Sequence, residues 1–313
     1  MDGLSVIVRP ISGPEELGLF TRLEYVLDDE LADDLAAGRR RPGWMWVALR
    51  GDRVLARAAW WSRGGDTPLY LDVFDIADDA PDPDRLDVAE QLLRTATAAV
   101  LPAGAEPPEY NRFLPPGWRQ DTATRQAVED RMAVLGRTGA QLFVERLRLE
   151  WRPGTAVPAG SGRLAFRPVR DTGEITAMMA AVLDGTLDAH SRADLATMTP
   201  REAAAAHFDG ELAGYSSPRE WWQVATLPGG DPVGFVLPAR NDYNAIIAYV
   251  AVLPAHRGRG YIDDLLAEGT RVLAAQDVPR IRASTDLGNT PMARAFARAG
   301  YVDFERTVTM TWS

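Results

Sequence analysis

Two residue types are missing from the 313-residue chain altogether: cysteine and lysine. The lack of cysteine excludes disulfides, thiolate nucleophiles and zinc sites built on Cys, and is compatible with a reducing cytoplasm. The lack of lysine makes all 34 basic side chains arginines, which, with the many Ala, Gly and Pro, reads as high-GC codon usage rather than function. Histidine is scarce at three copies, which singles out His190 for chemistry, although a lone His more often has a structural role. No apolar run approaches the roughly 18 residues that cross a bilayer, so no membrane role is expected. The start, Met1 to Pro10, has no basic segment followed by an apolar block, so no secretory signal is expected either. Positive charge is in deficit: the net charge is -10, which disfavours DNA or RNA as a partner. That balance mildly suits a cationic acceptor such as an amine, although solubility alone would account for it.

What is present is ordinary globular material, 46% hydrophobic and 25% charged. The length suggests two domains, each large enough to bury its own core. An internal repeat divides them. Gly139-Ala140-Gln141-Leu142-Phe143 runs on to Leu147, Leu149 and Trp151; Gly300-Tyr301-Val302-Asp303-Phe304 runs on to Val308, Met310 and Trp312. The spacing between matched positions is 161 throughout. Each segment alternates like a strand and follows a helical stretch, 124–137 or 290–299, with the Gly where a helix C-cap needs a left-handed residue. Val8-Arg9-Pro10 likewise matches Phe166-Arg167-Pro168. The Pro/Gly-rich segment 152–162 reads as the linker, which gives domains 1–156 and 157–313. The second half reads as strand 164–169, helices 172–184 and 200–209, strands 221–227, 232–238 and 245–253, helix 261–275, strand 280–284, then a last helix and strand. The fold class is α/β, a mixed sheet with flanking helices, built twice.

The segment that carries chemistry is Val250-Ala251-Val252-Leu253-Pro254-Ala255-His256-Arg257-Gly258-Arg259-Gly260-Tyr261-Ile262. An apolar strand ends, a short loop with two glycines follows, and a helix begins. Such a loop points free backbone N–H groups into one concavity, and the helix dipole adds positive potential. Gly258 and Gly260 let the backbone approach an anion closely, and Arg257 and Arg259 add charge. A pyrophosphate suits such a cradle. The loop has neither the Lys-Ser/Thr of a Walker motif nor the three glycines of the dinucleotide fingerprint.

This stretch resembles motif A of the GNAT acetyltransferases, in which a strand ending Val-x-Pro precedes Arg/Gln-x-x-Gly-x-Gly/Ala. Val252-Leu253-Pro254 fills the strand end, and Arg257, Gly260 and Ile262 fill the loop; Ile262 departs from the usual Gly or Ala. Downstream, Asn289, Met292, Phe296, Gly300 and Tyr301 have the spacing of the family's motif B. The resemblance implies a tandem GNAT fold and acetyl-CoA, or another acyl-CoA, as co-substrate without a metal. It implies coenzyme contacts from Val250, Ala251, Val252, Arg257, Gly258, Arg259, Gly260, Tyr261, Ile262, Asn289 and Phe296, with Asn289 also capping its helix. It further implies an N-acyltransferase acting on a small amine, with a backbone N–H for the thioester oxygen from strands 232–237 and 248–252 splayed apart. The alternatives are a non-catalytic coenzyme-binding or scaffold protein and, further off, a transferase using an aminoacyl-tRNA donor.

The usual acid of the family is a Tyr where this chain has Phe296, and Tyr249 is a substitute on the central strand. For the base, three places stand open: Asp188 with His190 between the first two helices, Asp242 in the hairpin 240–244, and Asp286 after the strand from Arg280. Capping or a solvated turn is the competing role for each. His256 is expected to border the phosphates. The first half has no matching loop: after Tyr70 to Ile76 comes Ala77-Asp78-Asp79-Ala80-Pro81-Asp82-Pro83-Asp84, acidic and free of glycine, which would repel a pyrophosphate. This half is expected to have lost the coenzyme and to support the other, shape the acceptor cleft or form a homodimer.

Overall fold

The computed structural model describes residues 5–78 and 83–312. It resolves into two compact units, one made of Met1–Glu145 with Arg306–Ser313 and the other of Arg146–Glu305.

The first unit is a sheet in the order β1 (Val6–Pro10), β2 (Met45–Arg50), β3 (Arg53–Trp61), β4 (Tyr70–Ile76), β5 (Tyr110–Leu114), β12 (Val302–Thr311). All neighbours run antiparallel except β4 and β5. The helices are the short α1 (Leu17–Phe20) and α2 (Leu31–Ala36) and the longer α3 (Arg85–Val100) and α4 (Thr122–Arg137). Alternate residues of β2 face opposite cores. Trp46 and Ala48 join Leu92, Leu93 and Val134 of α3 and α4, while Met45, Val47 and Leu49 join Phe20 and Leu31 of α1 and α2. This period-two division of side chains is what lets helices cover both faces.

The second unit repeats the plan. Its sheet runs β7 (Ala165–Pro168), β8 (Gln223–Thr226), β9 (Pro232–Arg240), β10 (Ala245–Val252), β11 (Ile281–Asp286), β6 (Gln141–Trp151), again with a single parallel neighbour pair, β10 and β11. Five helices accompany it: α5 (Thr172–Val182), α6 (Ala189–Asp194), α7 (Pro200–Gly210), α8 (Tyr261–Ala274) and α9 (Thr290–Arg298). Leu265, Leu266, Leu273 and Phe296 of α8 and α9 pack on one face, and Ile175, Met179 and Phe208 of α5 and α7 on the other.

The units are not simply the two halves of the sequence. Residues 146–151 of β6, which end the first half, pair with β11 of the second unit, and β12 pairs with β5 of the first. The repeat makes this exchange cheap, because the two last strands carry the same alternation and either satisfies either sheet edge.

Details of the duplication extend below the level of elements. Gly139 and Gly300 both have positive φ, at 102° and 86°. In each case the next residue closes the helix with a bond five residues back: Ala140 N–H to Leu135 O and Tyr301 N–H to Phe296 O. Arg9 reaches Glu16 at 2.6 Å, and Arg167 reaches Glu174 at 2.6 Å. The glutamates then accept from the amides of Ser12 and Arg170 respectively.

Candidate active site

The central strand β10 is laddered to β9 over its whole length, from Ala245↔Arg240 to Val252↔Gly234. Gly234 permits that approach, since a Cβ there would collide with the carbonyl of Ala251. A bulge interrupts the ladder between Ile247 and Tyr249, leaving Ala248 as the extra residue. On its other edge β10 meets β11 only at Ala245↔Ile281 and Ile246↔Arg282. Beyond Ile246 the two strands part, because β11 stays paired to β6 through Asp286↔Arg146. Residues 248–252 are therefore only half-buried, although β9 beside them is buried from Val233 to Ala239. The splay expected between 232–237 and 248–252 is thus absent. It lies one strand over, between β10 and β11, where the parallel ladder ends.

The loop beyond β10 delivers backbone amides to the mouth of this split. Gly258 and Gly260 both have φ of 75°, a left-handed conformation that glycine adopts without cost. Gly260 is the N-cap of α8. The amides of Gly258, Arg259, Gly260, Tyr261 and Ile262 donate to no carbonyl or side chain among the described residues. They join the positive end of a 14-residue helix, an arrangement that suits an anion. Two acids in the first turn of α8 would oppose this, but both are engaged. Asp263 pairs with Arg298 at 2.6 Å. Asp264 accepts from Ser161 N–H at 2.6 Å and Ser161 Oγ at 2.8 Å, with Arg163 3.4 Å away. Arg163 also donates to the carbonyl of Arg259 at 3.0 Å and lies over the ring of Tyr261. The end of the linker and the residue after it therefore brace α8 and the loop, which the Pro/Gly composition did not suggest.

A polar cluster gathers at the end of β11, four residues beyond its last pairing with β10. Asp188 caps α6, its Oδ1 accepting from the amide of Ser191 at 2.8 Å and its hydroxyl at 2.9 Å. Asp286 ends β11, and its Oδ2 accepts from the amide of Ala189 at 2.6 Å. Arg146 joins the two, with Nη2 3.5 Å from Asp188 and Nε 3.2 Å from Asp286. Burial tends to raise the Asp188 carboxyl, but Arg146, Ser191 and His190 outweigh it and hold it below its ordinary value. Asp286 goes the other way: burial, aided by the charge of Asp188, pushes it up against the pull of Arg146 and His190. Burial, with Asp188 adding to it, also pushes the phenol of Tyr249 up, so it keeps its proton. Tyr249 follows the bulge and stacks on His207 at 5.3 Å.

The structure sorts the expected residues. Val250, Ala251 and Val252 line the half-buried part of β10, and Asn289 does cap α9, accepting from the amide of Met292. Ile262 packs on the α8–α9 core, leaving its amide as the group offered to a ligand. Arg257 does not project as a free charge. It donates to the carbonyls of Val252, Asp184 and Val182, tying the loop to the end of α5. Arg259 is exposed. Phe296 lies in the core against Tyr301, whose hydroxyl bonds Thr270 at 2.9 Å, so its place in the motif serves packing. His256 sits beside the loop, edge-on to Tyr261. Asp188, His190 and Asp286 come together; Asp242 is exposed in the turn before β10. Sequence reasoning missed Arg146, which lies on the strand ending the other half and has no local motif to mark it.

The family model of the GNAT acetyltransferases matches residues 187–301, which include Asp188, the split, the loop, Asp286 and α9 but not Arg146. Among solved structures, a GCN5-related N-acetyltransferase from Sphaerobacter thermophilus superposes with a TM-score of 0.59 and 16% identity, covering 97% of this chain and 94% of that one. A tandem GNAT protein from the clavulanic acid biosynthesis pathway gives 0.55 and 16%, covering 98% of both chains. The glucosamine N-acetyltransferase region of a fungal multi-domain β-N-acetylglucosaminidase gives 0.57 and 14%, covering 99% of this chain and 38% of that one. At these identities the likeness is one of fold. No curated protein sequence matches the chain. Among the described residues no helix is long and apolar enough to cross a membrane, and no group of three or more His, Asp or Glu is arranged to hold a metal.

Proposed function

We propose that this chain, a GNAT-family protein through residues 187–301, is an acyl-CoA-dependent N-acyltransferase that moves an acyl group, most simply acetyl, onto a small amine metabolite in the cytoplasm. The observation that carries the reading is the half-open edge of β10 leading to five consecutive unpaired amides at the start of α8. Those amides fit a pyrophosphate, and the parted strands fit the extended arm that joins a pyrophosphate to a thioester. The thioester supplies the activated acyl carbon.

The protein's own groups then divide the work. The backbone of β10 past the bulge, freed from β11, offers amides where the acyl oxygen gains charge. Tyr249 holds its proton at neutral pH, which supports a role as the group that gives it to the departing sulfur. The carboxylates of Asp188 and Asp286, with His190 in their field, face the amine. An amine with a pKa near 10 must shed a proton before it attacks, so a base is needed on this side.

Acetyl-CoA titration by calorimetry tests the first claim: binding is expected, and none at millimolar ligand removes the basis of the reading. A thiol-release assay across a panel of amines tests the second. A coenzyme-binding protein without turnover is the alternative, favoured by Phe296, which replaces the hydroxyl of the motif with a buried ring. Binding without thiol release for any amine would select it.

A further inference from the structure

Asp188, Asp286 and Arg146 come from three separate elements, the N-cap of α6, the end of β11 and the exchanged strand β6. Their carboxylates differ in what they have left to offer. Asp188 spends Oδ1 on Ser191 and keeps a side chain that is 30% exposed, with Oδ2 turned to Arg146. Asp286 is 4% exposed, and its Oδ1 is buried without accepting any hydrogen bond, 3.2 Å from Arg146 Nε. A buried carboxylate oxygen that faces a guanidinium but accepts no hydrogen bond keeps a lone pair with which to take a proton. Asp188, Asp286 and Arg146 taken together carry one net negative charge, a balance that suits a cationic guest.

We propose that Asp286 is the base that deprotonates the amine, that Asp188 anchors it as an ammonium, and that Arg146 is the positioning residue that keeps the two carboxylates in these separate roles. The proposal rests on the acyltransferase reading and names its acceptor class: a small primary amine that arrives protonated and carries no net negative charge. The protons and bonds balance. Asp286 takes one proton from the ammonium nitrogen, and the freed lone pair forms the C–N bond as the C–S bond breaks. The second nitrogen proton replaces the one that Tyr249 gives to the sulfur. Asp286 returns its proton to solvent, so the products are an amide, a thiol and one H⁺.

The groups facing Asp286 predict opposite responses. Burial and then Asp188 hold its carboxyl up, while Arg146, the Ala189 amide and His190 hold it down. The base works only when ionised, so kcat/KM falls as pH falls through its pKa. In Arg146→Met that acidic limb should move up by about one pH unit, the scale of losing one close opposite charge. In Asp188→Asn, which keeps the helix cap, it should move down. Arg146→Lys should restore the wild-type limb. Asp286→Asn should lower kcat by roughly 10²–10⁴-fold with acetyl-CoA affinity unchanged. Unmoved limbs in both charge variants, or wild-type kcat in Asp286→Asn, would overturn the assignment. Acetyl-CoA affinity of each variant, read in parallel, separates that failure from a failure of the acyltransferase reading, in which the wild type itself would not bind.

Discussion

The two units contain the same split, and only one of them is open. In the second unit β10 and β11 pair at two positions and part, and residues 248–252 stay half-buried. In the first unit β4 and β5 pair only at Leu71↔Tyr110, yet β4 is buried from Val73 to Ile76. The difference is an ion cluster. Asp75 of β4 accepts from Arg57 at 2.8 Å and forms ion pairs with Arg112 of β5 at 2.7 Å and Arg131 of α4 at 3.6 Å. The guanidinium of Arg112 stacks on Tyr25, whose hydroxyl accepts from the amide of Phe113. Burial works against the charge on Asp75, but the three arginines hold its carboxyl below its ordinary value. A duplicated gap was thus filled with paired charges in one copy and left as a cleft in the other. Parted strands alone do not make a binding site; what lies between them decides.

That contrast can be broken at the loop first, where the largest effect is expected. Gly260→Val should abolish acetyl-CoA binding while circular dichroism stays unchanged. Its φ of 75° is one a β-branched residue resists, and the adjacent amides would turn away from the anion. Retained affinity would mean that the cleft of the second unit is not the coenzyme site.

Next comes the plug. Arg112→Ala leaves Asp75 buried with less compensation, and removing one partner of a buried pair costs about 3–5 kcal/mol. Urea denaturation should show that loss, while acetyl-CoA affinity stays at the wild-type value. If affinity changed instead, the first unit would be contributing to the site.

A smaller effect is expected at Arg257. Its guanidinium braces the loop through three carbonyls, so Arg257→Ala should weaken acetyl-CoA binding about tenfold, ~1.4 kcal/mol. The smallest is none: Ala80→Val, in the acidic segment of the first half, should leave affinity untouched. Residues 79–82 lie outside the described residues, so this expectation rests on the chemistry of the sequence alone. A loss of binding there, with Gly260→Val neutral, would reverse the assignment of the two halves.

The cradle was legible because its chemistry is local. Gly258, Gly260, the preceding apolar strand and the following helix lie within one short stretch, and backbone conformation at glycine is set by near neighbours. The cap at Asn289 and the left-handed glycines 139 and 300 were legible for the same reason. The polar cluster was legible only in pieces. Asp188, His190 and Asp286 each looked like a capping or turn residue, and Asp188 indeed caps α6. Only the packing of α6 on the end of β11 makes them one group.

By itself, then, the sequence determined the class of fold, the repeat, the order of elements in the second half and the left-handed glycine loop before α8, all of which depend on periodicity and short-range conformation. Three things were left to the tertiary structure. Which sheet receives each final strand could not be read, because β6 and β12 carry the same alternating pattern. Which edge of β10 opens depends on β11 following β6 rather than β10, a competition between long-range ladders. Whether a gap is a cleft or a plug depends on Arg57, Arg112 and Arg131 converging on Asp75 from three elements, and no spacing along the chain encodes that meeting in space.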